Sequence, residues 1–402
     1  MARRRVGRKA RSGQVRGRLR ASAQASADRT TPLADAETEG LSISHWFEPG
    51  ADGDPYTARI RFAGQRVGVR GKKDPGDSFV KEETVDQVVP GSGPISVTTW
   101  AYGLNAGDWT VIADRVDRGS GRGAQVSIGR SDPPGSHTLP RAQWSWTRWR
   151  LSTAPFDSVR TRWEPMVRLA RMPAVIPGSW FGLVTTGVIV GAFLQVTLLS
   201  RAGIQAGPAL LVDLLSLVSG LVVAKAWYLA TGKGWSWWSI GEGFTVDGLL
   251  LAAPAVAIAT LLAFGLPIGT FLDASTPGLF FGVAIGRLGC FFTGCCAGRC
   301  TASRWGVWSS DRRVGARRIP TQLLESVTGL VIGVAATLLV LARPISVPGA
   351  TFVGAVAVYV FLRQFLLRLR AEPHSRVRAR LTAAAAGLVL AVDAALAFLR
   401  VV

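Results

Sequence analysis

GLFFGVAIGRLGCFFTGCCAG, residues 278–298, is apolar enough to enter a bilayer, yet it holds Arg287 and three of the chain's four cysteines. Small residues recur at every fourth position: Gly278, Gly282, Gly286, Cys290, Gly294 and Gly298. On a helix this spacing makes one thin stripe along which a neighbouring backbone can approach closely. An arginine beside such a stripe is costly in hydrocarbon, so it is expected to face a cavity, a partner or an anion. The alternative is a packing stripe with an arginine snorkelling to the interface.

Outward from this stretch, seven apolar segments are long enough to span: residues 175–200, 207–230, 246–270, 276–296, 320–342, 348–370 and 380–400. Few polar side chains fall within them: Gln195, Asp213, Lys225, Asp247, Arg287, Gln322, Glu325 and Arg363, with Asp393 in the last. Intramembrane groups of this kind are usually paired or functional. The expected class is therefore an all-α polytopic membrane protein of seven transmembrane helices, preceded by a soluble β-sandwich-like domain.

Charge divides the chain the same way. Residues 1–171 hold 28 Lys/Arg against 18 Asp/Glu, and residues 172–402 hold 18 against 8. The net charge of +20 favours anionic partners, and in a membrane protein the first of these is lipid headgroups. All four cysteines lie between residues 290 and 300, which excludes a secreted disulfide framework.

Four regions are expected. Residues 1–40 form a disordered basic arm and linker, since residues 1–20 carry nine Lys/Arg and no acid. No apolar h-region follows the arm, so it is not an ordinary secretory signal peptide. No aromatic residues interleave its arginines, so nucleic acid is not an expected partner. Residues 41–150 alternate as strands in TARIRFAGQRVGVRG, PISVTTWAYGL and DWTVIADRV, with turn residues between, as in a small β-sandwich. YGLNAGDWTVIA is similar to a strand–turn–strand of fibronectin-type modules. Residues 115–135 are expected to form a charged, Gly-rich loop. His45, His137, Trp46, Trp100 and Trp109 have no catalytic or metal-ligand spacing and read as core and surface residues. Residues 151–174 are expected to be an interfacial linker, and Trp144, Trp146, Trp149 and Trp163 alternate with arginines around its start, suited to headgroup depth. Residues 175–402 form the membrane domain.

GRLGCFFTGCCAGRCTASRWGVW, followed by RRIPTQLLES, resembles the prolipoprotein diacylglyceryl transferase family. Gly286, Arg287, Gly289, Phe291, Gly294, Gly298, Arg299, Thr301, Trp305, Gly306 and Val307 match its first signature, and Pro320, Gln322, Leu323 and Glu325 match the second. Trp180-Phe181-Gly182 is similar to the family's Trp-Tyr-Gly, and GLVVAKAWYLA to its second span with Lys225 at an arginine. YVFLRQFLLRLR aligns Tyr359, Arg363 and Arg370 with a Tyr/Arg motif. The resemblance covers roughly residues 175–400. It implies transfer of the diacylglyceryl group of phosphatidylglycerol to the lipobox cysteine thiol of prolipoproteins, a step of lipoprotein biosynthesis in the bacterial plasma membrane. The implied partners are phosphatidylglycerol, a lipobox peptide and membrane lipids. No cofactor or metal is implied, because the substrate supplies the nucleophilic thiol.

The residues themselves agree with this chemistry. Tyr359, Arg363 and Arg370, spaced four and seven apart, are expected on one helical face, and with Arg287 they can converge on a phosphate. Residues 304–318 add Arg304, Arg312, Arg313, Arg317 and Arg318, and Glu325 is placed to orient an arginine. The candidate catalytic residues are Asp247, Arg287 and Arg363. Substrate binding is assigned to Arg287, Gly289, Cys290, Gly294, Gly298, Gln322, Glu325, Tyr359, Arg363 and Arg370.

The sequence also departs from the family pattern. Asp247 stands near the family's histidine, either as a base raised by burial or as an arginine's charge partner. Cys290 and Cys295 replace an Asn and a Glu, and Ile319 replaces a His. Small packing residues, a Cys295–Cys300 disulfide and a metal site are the readings of the cysteines. The resemblance puts the N-terminus and active face outside, whereas the distribution of arginines puts them inside. A lipid-binding scaffold with impaired catalysis is the alternative function. A transporter has only the intramembrane charges in its favour.

Overall fold

The computed structural model describes residues 39–71, 74–116, 140–145, 150–155, 159–164, 167, 172–231, 246–342, 347–372 and 375–401. The basic arm, most of the Gly-rich stretch and Trp146 and Trp149 lie outside the described residues.

The front half is β-rich. Its strands are β1 (Glu39–Phe47), β2 (Tyr56–Arg66), β3 (Ser78–Val88), β4 (Ile95–Leu104), β5 (Asp108–Arg115), β6 (Pro140–Ser145), β7 (Arg150–Pro155), β8 (Val159–Arg160) and β9 (Arg162–Trp163). In β2, Ala58, Ile60 and Phe62 are buried while Arg59 and Arg61 face outward. β5 repeats the alternation with Trp109, Val111 and Ala113. This period of two is what lets a strand bury one face against a core.

Two further strands come from the membrane half: β10 (Val307–Ser310) and β11 (Val314–Arg318). They form an antiparallel hairpin, and β11 pairs with β4 through Val314–Val97 and Gly315–Ser96. The two main sheets therefore run β10-β11-β4-β1-β9 and β3-β2-β5-β8. Val314 and Ala316 join the core of Ile43, Phe62, Val97 and Trp109. Strand structure also runs past residue 150, where a linker was expected, because β8 extends one sheet and β9 the other.

Among the described residues seven helices follow: α1 (Ser179–Arg201), α2 (Ala206–Thr231), α3 (Val246–Ala263), α4 (Ile268–Thr293), α5 (Thr321–Ala342), α6 (Ala350–Leu367) and α7 (Arg376–Val401). Six are long and apolar enough to cross a membrane; in α3 the comparable apolar stretch, Leu251–Ala263, is shorter. The fourth helix starts eight residues before its expected limit. Leu266 N donates to Leu261 O and Gly265 N to Leu262 O, so the chain turns at residues 264–267 and α4 begins behind Pro267. Hydropathy does not register that turn, because its residues are themselves apolar.

The small stripe on α4 seats α1. A Cβ on Gly278 would collide with the backbone of Gly191, and one on Gly187 would lie 3.0 Å from Gly282 O. The two helices thus meet backbone to backbone, as small-residue stripes allow in apolar surroundings. Their ends are pinned by Ile176 N to Phe292 O at 2.8 Å and by the Ser179 and Thr293 hydroxyls at 2.9 Å. α5 lies on the other side, with Ser326 Oγ donating to Ala284 O at 2.7 Å.

Candidate active site

The site is built at the ends of α4 and α6 and the start of α5. α4 stops at Gly294, whose φ of +72° is the left-handed cap that glycine adopts without strain. The chain then runs beside two neighbours. Arg299 N donates to Leu369 O at 2.9 Å and Ala371 N to Ala297 O at 3.0 Å, so Gly298 bridges Arg370. On the other side Ile319 N donates to Arg299 O and Thr301 N to Arg317 O, both at 3.0 Å. Gln322 Nε2 donates to Cys295 O at 2.9 Å and Thr321 Oγ1 to Cys296 O at 3.2 Å, fixing the turn from α5.

At the centre is Glu325, with no exposed surface. Its Oε2 pairs with Arg287 Nε and its Oε1 with Arg370 Nη2, each at 2.6 Å. One carboxylate thus holds two guanidiniums, and the triad carries one surplus positive charge. Excluded water makes that charge count for more than it would on a surface. Tyr359 interacts electrostatically with Arg287, and its ring packs edge-on against Phe280 at 5.5 Å. Arg363 follows Tyr359 by one turn, and its buried Nε has no hydrogen-bond partner among the described residues.

The expected residues divide accordingly. Arg287, Glu325, Tyr359 and Arg370 come together, and Gln322 and Gly298 hold the loop around them. Arg370 lies past the end of α6, not on its face: turn-type bonds over residues 365–370 end the helix, and the bridge to Gly298 brings Arg370 in. Gly289 lets α4 approach Trp180 of α1, with a Cβ there only 3.1 Å from the Trp180 Cα. Asp247 is the second residue of α3, and its side chain lies outside the described residues.

The arginines of residues 304–318 are mostly committed elsewhere. Arg318 is buried and bound to Asp311 at 2.6 Å and to Gly298 O at 3.1 Å. Arg313 pairs with Glu83 of β3 at 2.7 Å, and Arg312 Nε donates to Thr293 O. They line a cleft of ≈ 860 Å³ between β3 and the loop after α4, together with Cys295, Cys296 and Arg299. All four cysteines are free thiols. The sulfurs of Cys290, Cys295 and Cys296 lie within 4.8 Å of one another. The neighbouring Cys290 and Cys295 thiols, helped by the charges of Arg370 and Arg287, hold the Cys296 thiol below the usual thiol range. Burial raises Cys300.

Two polar features leave no clear mark in the sequence pattern. Asp273 falls between two expected spans, but sits inside α4 and accepts from Gly349 N at 2.7 Å and Phe352 N at 3.0 Å, capping α6 from a neighbouring helix. Pro267 as a helix start is the signal that places it there. Gln195 and Asp213 stand in separate spans as isolated polar groups. They form one cluster with Ser275, through Gln195 Nε2 at 3.2 and 2.9 Å.

The family model for prolipoprotein diacylglyceryl transferase matches residues 170–401. Three similar proteins are described as phosphatidylglycerol–prolipoprotein diacylglyceryl transferases. One, from Dehalococcoides mccartyi strain 195, is 25% identical over 198 residues, covering 46% of this chain and 75% of that protein. A second, from strain BAV1 of the same species, is 27% identical over 129 residues, covering 30% of this chain and 49% of that protein. The third, numbered 2 in Clostridium perfringens, is 24% identical over 225 residues, covering 50% and 86%. Because the family match takes in more than half of its length and includes the whole Arg287–Glu325–Arg370 triad, the chain belongs to the prolipoprotein diacylglyceryl transferase family.

Proposed function

We propose that this chain transfers the diacylglyceryl group of phosphatidylglycerol to the lipobox cysteine thiol of prolipoproteins, as a seven-span protein of the bacterial plasma membrane. The observation that carries the reading is the shared carboxylate: two guanidiniums on Glu325 leave one surplus positive charge, and Ala371, next to Arg370, lines a cleft that also carries Arg299, Arg312, Arg313 and Arg318. Arg287, Arg363 and Arg370 bind the phosphate of the lipid. They stabilise the charge that develops as the phosphate oxygen leaves the glyceryl carbon. Glu325 holds Arg287 and Arg370 in place, and Tyr359 positions Arg287.

An apolar crevice of ≈ 560 Å³ bounded by Ile189, Phe193, Phe281 and Leu338 is suited to acyl chain. The cleft at β3 receives the peptide. Asp247 serves either as base or as a charge partner. The seven-span reading draws support from parity. β11 pairs with β4, so both flanks of α1–α4 share one side of the membrane, and three crossings by α1, α2 and α4 require a fourth by α3.

The test is labelling of a lipobox peptide with radioactive diacylglycerol by membranes from a strain whose own transferase is removed. Labelling that Arg287→Ala abolishes is expected. No labelling by a properly inserted wild-type chain would favour a second reading, a lipid-binding scaffold of the same fold. That reading has its own observation in Ile319 and Cys295, which stand at a histidine and a glutamate of the family pattern.

A further inference from the structure

Three thiols meet where α4 ends, although their spacing of five and one residues is not that of a metal motif. The left-handed cap at Gly294 reverses the chain and brings Cys295 and Cys296 back over Cys290. Metal–thiolate bonds of about 2.3 Å hold neighbouring sulfurs roughly 3.8–4.0 Å apart, so the trio at 4.8 Å or less needs shifts below about 1 Å to close on an ion. Cys296 itself has a φ of +56°, a strained value for a residue with a side chain. Such strain persists where the surroundings over-determine it, and it clusters at functional sites. Here the bonds from Gln322 and Thr321 to the Cys295 and Cys296 carbonyls impose it.

Charge and donor count fit as well. Three thiolates around a divalent ion carry one surplus negative charge, and the adjacent Arg287–Glu325–Arg370 triad carries one surplus positive charge. The two groups touch, with Arg287 Nη1 at 4.0 Å from Cys290 Sγ. Among the described residues no fourth donor joins the trio. Cys300 packs against the β core instead. Three protein ligands with a vacant position are the usual arrangement of a catalytic zinc centre.

We propose that Cys290, Cys295 and Cys296 bind one thiophilic divalent cation of the zinc class, whose fourth position takes the thiol of the acceptor peptide. The second half rests on the transfer reading above. On coordination the acceptor S–H gives its proton to solvent and becomes a metal-bound thiolate. Its sulfur then forms a bond to the terminal glyceryl carbon. The bond from that carbon to the phosphate oxygen breaks, its electron pair leaves with the phosphate, and glycerol phosphate departs beside the arginines. The thioether product is a weak ligand and leaves the ion. The device supplies a thiolate without a general base, at a site where the family histidine is missing.

The test uses the full chain purified in detergent, loaded with Zn²⁺ or Co²⁺ and desalted. One Zn²⁺ per chain is expected, together with sulfur-to-cobalt charge-transfer absorption. Cys290→Ser, Cys295→Ser and Cys296→Ser should each weaken retention at least tenfold, and Cys300→Ser should not. A lipobox peptide should shift the cobalt bands, whereas the same peptide with serine for its cysteine should not. No retained metal in the wild-type chain overturns the site, as does a count below four free thiols in chelator-treated, denatured protein. An unshifted cobalt spectrum with cysteine peptide overturns the fourth-ligand step. Peptide labelling without metal refutes this inference and leaves the transferase standing; metal retention without labelling does the reverse.

Discussion

Replacing Glu325 by glutamine removes the carboxylate charge that Arg287 and Arg370 share. The carboxylate has no exposed surface, and the side chains of Arg287 and Arg370 are 17% and 6% exposed. The Arg370 pair is a charge-assisted hydrogen bond at 2.6 Å, worth about 1.5–3 kcal/mol net, and the Arg287 pair is an ion contact at the same distance without hydrogen-bond geometry. A glutamine keeps one acceptor but aims an amide N–H₂ at the other guanidinium, leaving two cations facing each other. Removing one partner of a buried pair costs about 3–5 kcal/mol, and that range is expected here. Denaturant or thermal unfolding in detergent measures it. At about 2–4 °C per kcal/mol for a unit of this size, the midpoint should fall by roughly 6–20 °C. Arg370→Met in the Glu325→Gln background removes one stranded charge, so the double variant should be more stable than the sum of the two losses by about 2 kcal/mol. A cost below about 1 kcal/mol for Glu325→Gln, or simple additivity, would refute the shared-carboxylate account.

Arg363→Met deletes a guanidinium whose Nε has no hydrogen-bond partner among the described residues, so the unfolding midpoint should hold or rise while peptide labelling falls about 10²–10³-fold, the effect of losing one preorganised donor. Gly278→Leu drives a side chain into the Gly191 backbone and should separate α1 from α4, costing about 1–3 kcal/mol by unfolding in detergent. His45 is half-buried, and the desolvation of its ring lowers its pKa to about 4. Below pH 6.5 the unfolded chain takes up a proton that the folded chain refuses until about pH 4. Stability of the β half should therefore fall with pH across that window, by up to about 3 kcal/mol. Tryptophan fluorescence at each pH checks this, and His45→Phe should flatten the dependence. Arg313→Ala removes an exposed pair with Glu83, and a loss of about 0.2–1 kcal/mol is expected in the same assay.

Much of the membrane half was legible in the sequence because uncharged apolar runs of twenty residues, repeated along one chain, rarely suit a water-soluble fold. The small stripe announced a close helix neighbour but not which one; the Gly187–Gly282 and Gly191–Gly278 contacts are long-range and leave no local trace. The pairing of Glu325 was legible as chemistry, but its second arginine was not, since Arg370 arrives through a backbone bridge beyond its helix. The β10–β11 hairpin was hidden by composition. Residues 304–318 read as a basic loop, although Val314, Ala316 and Arg318 alternate inward with the period of a strand. The cysteine cluster depends on a backbone reversal at Gly294, and no helical or strand periodicity foretells it.

The pairing of β11 with β4 has a consequence for biogenesis. More than two hundred residues separate Val97 from Val314, and four helices lie between them. As the chain is synthesised, β4 emerges with one edge unmatched and must wait until α1–α4 have been made before its partner exists. The exposed edge is a template for stray pairing during that delay. For the sheet to close, α1–α4 must return the chain to the side it left, which an odd number of crossings cannot do.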